Sequence, residues 1–289
     1  MKEMIKRLVE ERMDKLKNDS SIYKSDNIET LIRKRDGLRK RGGEIVKVMA
    51  NGDVRKVVER SEEVIDAIYD LHWKLAIKQG TQFYLEEEVE SRKASFKGKK
   101  LLFDQEMIIK HQLLEKEIER GLDLSSPREK IAYDRLRAVQ YAERWWNSFN
   151  PTYPQFTDDC TNFISQCLYA GGIPMWGRPN RSKGWWIEGK SNWSYSWTVA
   201  NAFMLMLKAA SWTKEVKDPL YLMLGDIICY DFEGDGRFNH NTIVTGKDEY
   251  GNPLVNAHTT NSRMRYWNYE DSTAYTPNIQ YKFFHIITD

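Results

Sequence analysis

The sequence predicts an α+β protein in two parts, and three observations carry that expectation. Apolar residues recur at helical spacing over the first forty positions, then switch to alternation with glycine-bearing turns up to about residue 107. Past residue 125 a capped helix is followed by further short strands. Aromatic density also rises there, with nine of the ten tryptophans beyond that point. The expected division is therefore 1–125, a smaller helix-plus-antiparallel-sheet domain of unassigned role, and 126–289, a helix packed on an antiparallel sheet.

Each element has its own signal. Met4, Ile5, Leu8, Val9, Met13 and Leu16 alternate with Lys, Arg and Glu and predict an amphipathic helix over residues 1–18. Asn18-Asp19-Ser20-Ser21 breaks it, and a second helix is expected over about 27–41, stopped by Gly42-Gly43. Glu44 to Ala50 then reads as a strand ending in a hairpin at Asn51-Gly52, with Val54 to Arg60 returning. Asp70 to Lys78 alternates cleanly as a strand, while Val64 to Tyr69 is ambiguous. Gly80-Thr81 turns the chain, Phe83 to Phe96 is a strand rich in Glu and Arg, and Lys97-Gly98-Lys99 turns into Leu101 to Met107. The charged faces of these four or five strands offer no chemistry. His72 on the sheet and His111 on the helix expected after it are surface histidines. That helix continues from Ile108 to Arg120 and stops at Gly121.

In the second part, Ser126, Pro127 and Glu129 have the layout of N-cap, N1 and capping box, and predict a helix from there to Asn147. Asn150 to Pro154 is a loop. Thr157-Asp158-Asp159 supplies N-cap types for a helix carrying Cys160, Phe163, Ile164, Cys167 and Leu168, which Gly171-Gly172 and Pro174 end. Gly172 to Ser196 is a long loop holding Trp176, Trp185, Trp186 and Trp193; such loops pack over a core or line a cleft. Val199 to Ala209 is a short apolar helix. Strands follow at Ile227 to Tyr230, His240 to Gly246, Leu254 to Thr259 and Tyr281 to Ile287, with an acidic loop, Glu233 to Gly236, that lacks the ligand set of a calcium loop. Cys229 and His285 are structural.

Composition narrows the function. A net charge of +2 gives no electrostatic case for nucleic acid, and no run of about 18 apolar residues predicts a membrane span. Met1 to Arg7 lacks the apolar region of a secretory signal. The compartment stays open: cytoplasmic as the chain stands, or exported with the leader removed. Cys160 and Cys167, seven residues apart on one helix, are separated by about 10 Å and cannot bridge. No Cys/His spacing resembles a zinc site.

The chemistry centres on Cys160. A cysteine in the first turn of a helix meets unpaired N–H groups and the positive end of the dipole, which favour thiolate. Thiol acyl transfer then needs an imidazole to hold the ion pair and protonate a leaving amine, and a third polar group to orient it. His240 opens one strand and His258 lies in the next; Asn256 shares a face with His258, so either could orient His240. The Cys160 N–H would donate to an oxyanion, with Gln155 the candidate second donor. Asp159 either caps the helix or binds substrate, and the loop tryptophans, Trp185 and Trp186 among them, would form one wall of the cleft. No metal or organic cofactor is needed. The rival readings are a non-catalytic protein that binds cell wall or glycan by aromatic stacking, and an acyl transferase with the same residues.

These residues carry a resemblance. Asp159-Cys160 opening a helix, then Gly225-Asp226 before a strand, then His240 opening another, resembles the NlpC/P60 and CHAP families of papain-like cysteine hydrolases. Asn162-Phe163-Ile164-Ser165-Gln166-Cys167 and Ala170-Gly171-Gly172-Ile173-Pro174-Met175 resemble, more closely, the putative amidase domain family; Asn150 to Pro154 and Ala257-His258-Thr259 fit it too. The resemblance covers about 130–289. It implies a papain-like fold, a Cys160–His240 pair with His258 or Asn256 as third member, and cleavage of an amide in peptidoglycan or its stem peptides. It also implies that Asp159, before the cysteine, holds a substrate amine.

Overall fold

Strand length is the first thing that departs from the sequence pattern. The computed structural model describes residues 1–17, 29–61, 63–107, 114, 116–126 and 131–288. The breaker cluster at 18–21, His111 and most of the capping signal at 126–129 fall outside them. The chain divides into two compact units, one of residues 1–108 with 268–275, the other of 109–267 with 276–289.

In the first unit, helices α1 (Lys2–Lys17) and α2 (Glu29–Lys40) precede four strands, β1 (Gly43–Glu59), β2 (Val64–Gln79), β3 (Gln82–Lys97) and β4 (Lys100–Glu106). They pair antiparallel in sequence order. The two-residue turn at Gly80-Thr81 joins Gln79 to its partner Gln82, with Gly80 at φ 57° as such a turn requires. The hairpin expected at Asn51-Gly52 is absent: β1 runs straight through, with Asn51 opposite His72 and Gly52 opposite Leu71. Gly52 serves close approach instead. A Cβ there would lie 3.3 Å from Ile5 and 3.4 Å from Val9, so the missing side chain lets α1 settle on the strand. Along β2, Ala67, Tyr69, Leu71, Trp73, Leu75 and Ile77 are all buried, the alternation a half-buried strand imposes.

The charged face of β3 is also buried. Glu86, Glu88, Glu90 and Arg92 point inward. Lys34 binds Glu86, Glu88 and Asp271, and Arg12 and Arg92 bind Glu90 and Asp104. Burying charge requires such pairing.

The second unit opens with α3 (Lys116–Arg120) and α4 (Arg135–Trp145). Residues 131–134 are not helical; Asp134 caps α4 by accepting from the Arg137 N–H at 3.0 Å, and Ser126 instead accepts from the Ser211 N–H at 3.1 Å. Then come α5 (Cys160–Ala170), the two-residue strands β5 (Ile187–Glu188) and β6 (Asn192–Trp193), and α6 (Tyr195–Thr198) and α7 (Ala200–Ala209). The remaining strands are β7 (Thr213–Val216), β8 (Ile227–Asp231), β9 (His240–Lys247), β10 (Pro253–Ala257), β11 (Asn261–Tyr266) and β12 (Gln280–Ile286). Within the unit they form an antiparallel run in the order β11-β10-β9-β8-β12-β7. β7 and β11 went unpredicted because Thr-Lys-Glu-Val and Asn-Ser-Arg-Met-Arg-Tyr carry too few apolar residues to show a period.

Helix α5 sits at the centre of this unit. Phe163, Ile164, Cys167 and Leu168 join Ile227, Cys229 and Ile243 of the sheet, Phe203 and Leu207 of α7, and Ala138 and Ala142 of α4 in one core. Every residue from Cys160 to Leu168 is buried, so this helix is held on all sides.

Candidate active site at the start of α5

The N-terminus of α5 is built from three segments. Helix α5 brings Cys160, β9 passes beside it, and the turn after β10 closes over it. Cys160 is 1% exposed. Its S–H donates toward Asp158 Oδ1 at 3.6 Å, and Thr161 Oγ1 lies at the same distance. The backbone N–H of Asn241 faces the sulfur, and the Asn241 side chain donates to Thr161 Oγ1 at 3.0 Å. Burial pushes the Cys160 thiol well up, the Asp158 carboxylate adds to this, and the Thr161 and Asn241 contacts oppose it without prevailing. The thiolate expected of a helix-start cysteine is therefore not the form this closed environment favours.

The helix cap is not the expected one either. Asp159 occupies the N-cap position, yet its side chain makes no capping bond to the helix. Thr259 does that work from one hundred residues away: its Oγ1 accepts from the Asp159 N–H at 3.2 Å and the Cys160 N–H at 3.1 Å, and its hydroxyl donates to Asp158 Oδ1 at 3.2 Å. The Cys160 N–H assigned to an oxyanion is thus already engaged.

Asp159 is a buried clamp. Oδ1 accepts from the Phe156 N–H at 3.2 Å and Asn162 Nδ2 at 2.9 Å, and Oδ2 meets His258 Nδ1 at 2.7 Å. At 2% exposure with both oxygens engaged, it presents no free edge to a substrate amine. His258 lies just past the end of β10 rather than within it. Its Nε2 donates to the Trp145 carbonyl at 2.8 Å, since a carbonyl can only accept, and its ring stacks on Phe163 at 4.0 Å. Both ring edges being committed, His258 ties the loop to α4 and α5 and does not orient His240. Asn256 is likewise taken: its Oδ1 accepts from Thr245 Oγ1 at 2.7 Å and the Met264 N–H at 2.9 Å, and its Nδ2 donates to Glu143 at 2.8 Å.

His240 opens β9, one residue before the Asn241 amide that meets the sulfur. Its buried ring lies against Tyr230, 5.6 Å between centroids, and Phe232, at 6.0 Å. The two tryptophans assigned to a cleft wall are 0% exposed. Trp185 Nε1 donates to Ser165 Oγ at 3.0 Å and its ring packs on Trp197; Trp186 Nε1 donates to the Lys183 carbonyl at 3.0 Å. They hold the long loop onto the core and have no face left for a ligand. Gln155 is exposed.

Residues the sequence reading passed over are Asp158, Thr161, Asn241 and Thr259. Asp158 had a signal, being a second carboxylate two positions before the thiol. Thr259 follows His258 in the triplet already singled out. Away from this site, Glu86, Glu88 and Asp271 are the one group among the described residues whose oxygens lie close enough to hold a metal, within 4.8 Å of one another, and the Lys34 ammonium already binds all three.

No helix among the described residues is long and apolar enough to cross a membrane. No solved structure matches the chain. An uncharacterized protein of Bacillus subtilis strain 168, YhbB, is 46% identical across all of this chain and 97% of its own length. A second from the same strain, the uncharacterized protein YjcM, is 31% identical over 45% of this chain and 31% of its own length. Residues 132–284 match the family described as the putative amidase domain, which points to a hydrolase-like activity. With over half its length inside that match, and α5, β9 and the Thr259 turn all within it, the chain belongs to the putative amidase domain family.

Proposed function

We propose that residues 126–289 act as a cysteine-dependent amide hydrolase of papain-like, NlpC/P60-type construction, with peptidoglycan stem peptides as the substrate class. Cys160 is the nucleophile and His240 its base and then acid. His240 takes the thiol proton as sulfur attacks the carbonyl carbon, the C–S bond forms, and the carbonyl electron pair moves to oxygen. That pair returns as the C–N bond breaks, and the leaving amine takes its proton from His240. Water, deprotonated by His240, then cleaves the thioester, releasing the acid and restoring the thiol.

The observation that supports this reading is the Asn241 amide on the Cys160 sulfur. It sets the start of β9 beside α5; His240 is the residue before Asn241 in the chain, and its ring, which packs on Tyr230 and Phe232, would turn toward the sulfur for the proton transfer. The amidase family match supports the amide bond as target.

The test is mass spectrometry of muropeptides incubated with the protein. Wild type should release cleaved stem peptide, and Cys160→Ala and His240→Ala should each lose about 10³-fold or more in turnover. Full activity in Cys160→Ala would show that the thiol mechanism is wrong.

A further inference from the structure

We infer that Thr259 is a displaceable plug of the site proposed above: its hydroxyl sits where a substrate's carbonyl oxygen would, and must leave before Cys160 can react. The inference rests on the hydrolase reading for its meaning, but not for its measurement.

Two consecutive backbone N–H groups, of Asp159 and Cys160, converge on one oxygen atom, Thr259 Oγ1, at 3.2 and 3.1 Å. Paired amides aimed at one oxygen are what an acyl-transfer site offers to a developing oxyanion. The same hydroxyl donates to Asp158 Oδ1, which also receives the Cys160 S–H. One side chain thus engages both amides and the carboxylate beside the nucleophile. The thiol it closes over is 1% exposed, so no carbonyl carbon can reach the sulfur in this arrangement.

The plug is held from outside. Thr259 has φ +84°, a left-handed backbone that a β-branched residue seldom adopts and that surrounding contacts must impose. His258, immediately before it, is fixed to Asp159 and to the Trp145 carbonyl, and Ala257 pairs with Ser262 across the turn. The turn is pinned on both sides of Thr259, so release asks for a change at Thr259 and Thr260 and not for a domain movement. A substrate carbonyl oxygen would take over the two N–H bonds that the hydroxyl accepts, and the bond it donates to Asp158 would be given up as the strained backbone relaxed.

Alkylation of the native full chain by iodoacetamide, resolved by peptide mass spectrometry at Cys160, Cys167 and Cys229, tests this. All three cysteines are buried, so the latter two report any general loosening. Wild type should label slowly at all three. Thr259→Val keeps the shape and removes the hydroxyl; it should label at Cys160 about tenfold faster or more, with Cys167 and Cys229 unchanged. Thr259→Gly should do the same, and Thr259→Ser, which keeps the hydroxyl, should stay slow. Fast labelling of Cys160 in wild type, an unchanged rate in both Val and Gly variants, or a parallel rise at all three cysteines would each overturn the plug. Retained hydrolysis by Cys160→Ala would overturn the catalytic reading instead, and leaves these rates where they are.

Discussion

At the scale of single residues, the site depends on Asp159 more than on any other carboxylate. Its oxygens tie the segment before α5, the first turn of α5 and the turn after β10 to one point through Phe156, Asn162 and His258. Asp159→Ala would leave the His258 ring buried without that partner and should cost about 3–5 kcal/mol in urea unfolding. Asp159→Asn keeps an acceptor for Phe156 and Asn162 and can donate its amide N–H to His258 Nδ1, so the loss should be nearer 1 kcal/mol. A carboxylate used to anchor a substrate amine predicts the reverse pattern, unchanged stability and weakened binding in both variants. Unfolding midpoints of the pair, measured beside substrate binding, separate the two roles.

At the scale of elements, most of the fold was legible and the exceptions have physical causes. The alternation of β2 and the apolar stripe of α5 were read correctly because burial on one face, or on all, imposes a period. The Asn51-Gly52 dipeptide misled because glycine has two uses, positive φ in a turn and absence of a side chain at a close approach; only α1, forty residues earlier, decides which. The helix expected to run on from Ser126 begins, among the described residues, at Arg135 with Asp134 as its cap, and the Ser126 hydroxyl accepts from the Ser211 N–H. At the site, the position of Cys160 in the first turn of α5 was legible, but the partners of His258 and Asn256 were not. Spacing along a strand says which face a side chain takes and nothing of what another element brings to that face. A strand reading of Asn51-Gly52 is checked by substitution. Asn51 is exposed on extended backbone, so Asn51→Thr should change stability by no more than about 0.5 kcal/mol. Gly52→Val pushes methyl groups into Ile5 and Val9 and should cost about 1–3 kcal/mol in the urea midpoint. A tight hairpin would penalise both, because its central residues need positive φ.

At the scale of the molecule, the first unit adds a buried charge network to its apolar core, which a net charge of +2 conceals. The second unit is centred on aliphatic and aromatic side chains around α5, while the first buries Arg12, Glu90, Arg92 and Asp104 together, with Trp73 Nε1 donating to Glu90 at 2.8 Å. The burial of the glutamates on β3 was not legible, because their cations come from α1, α2 and further along β3, and no local pattern joins them. This arrangement fixes an acid response. Burial alone would raise the Glu90 carboxyl, but the guanidinium groups of Arg12 and Arg92 overcome it and hold Glu90 below the ordinary glutamate range. A carboxyl depressed in the folded state stabilises it above its unfolded value, near 4.3, and that stabilisation is lost as pH falls through the lower folded value. Glu90→Gln removes the charge and leaves the arginines with Asp104, so at pH 7 it should be less stable than wild type by about 3 kcal/mol. Urea unfolding followed by far-ultraviolet circular dichroism from pH 7 to 3 should show that deficit narrowing below pH ~4.3 as wild type loses what the variant never had. A deficit that stayed constant down to pH 3 would mean that Glu90 contributes through packing and its bond to Trp73, and not through its charge.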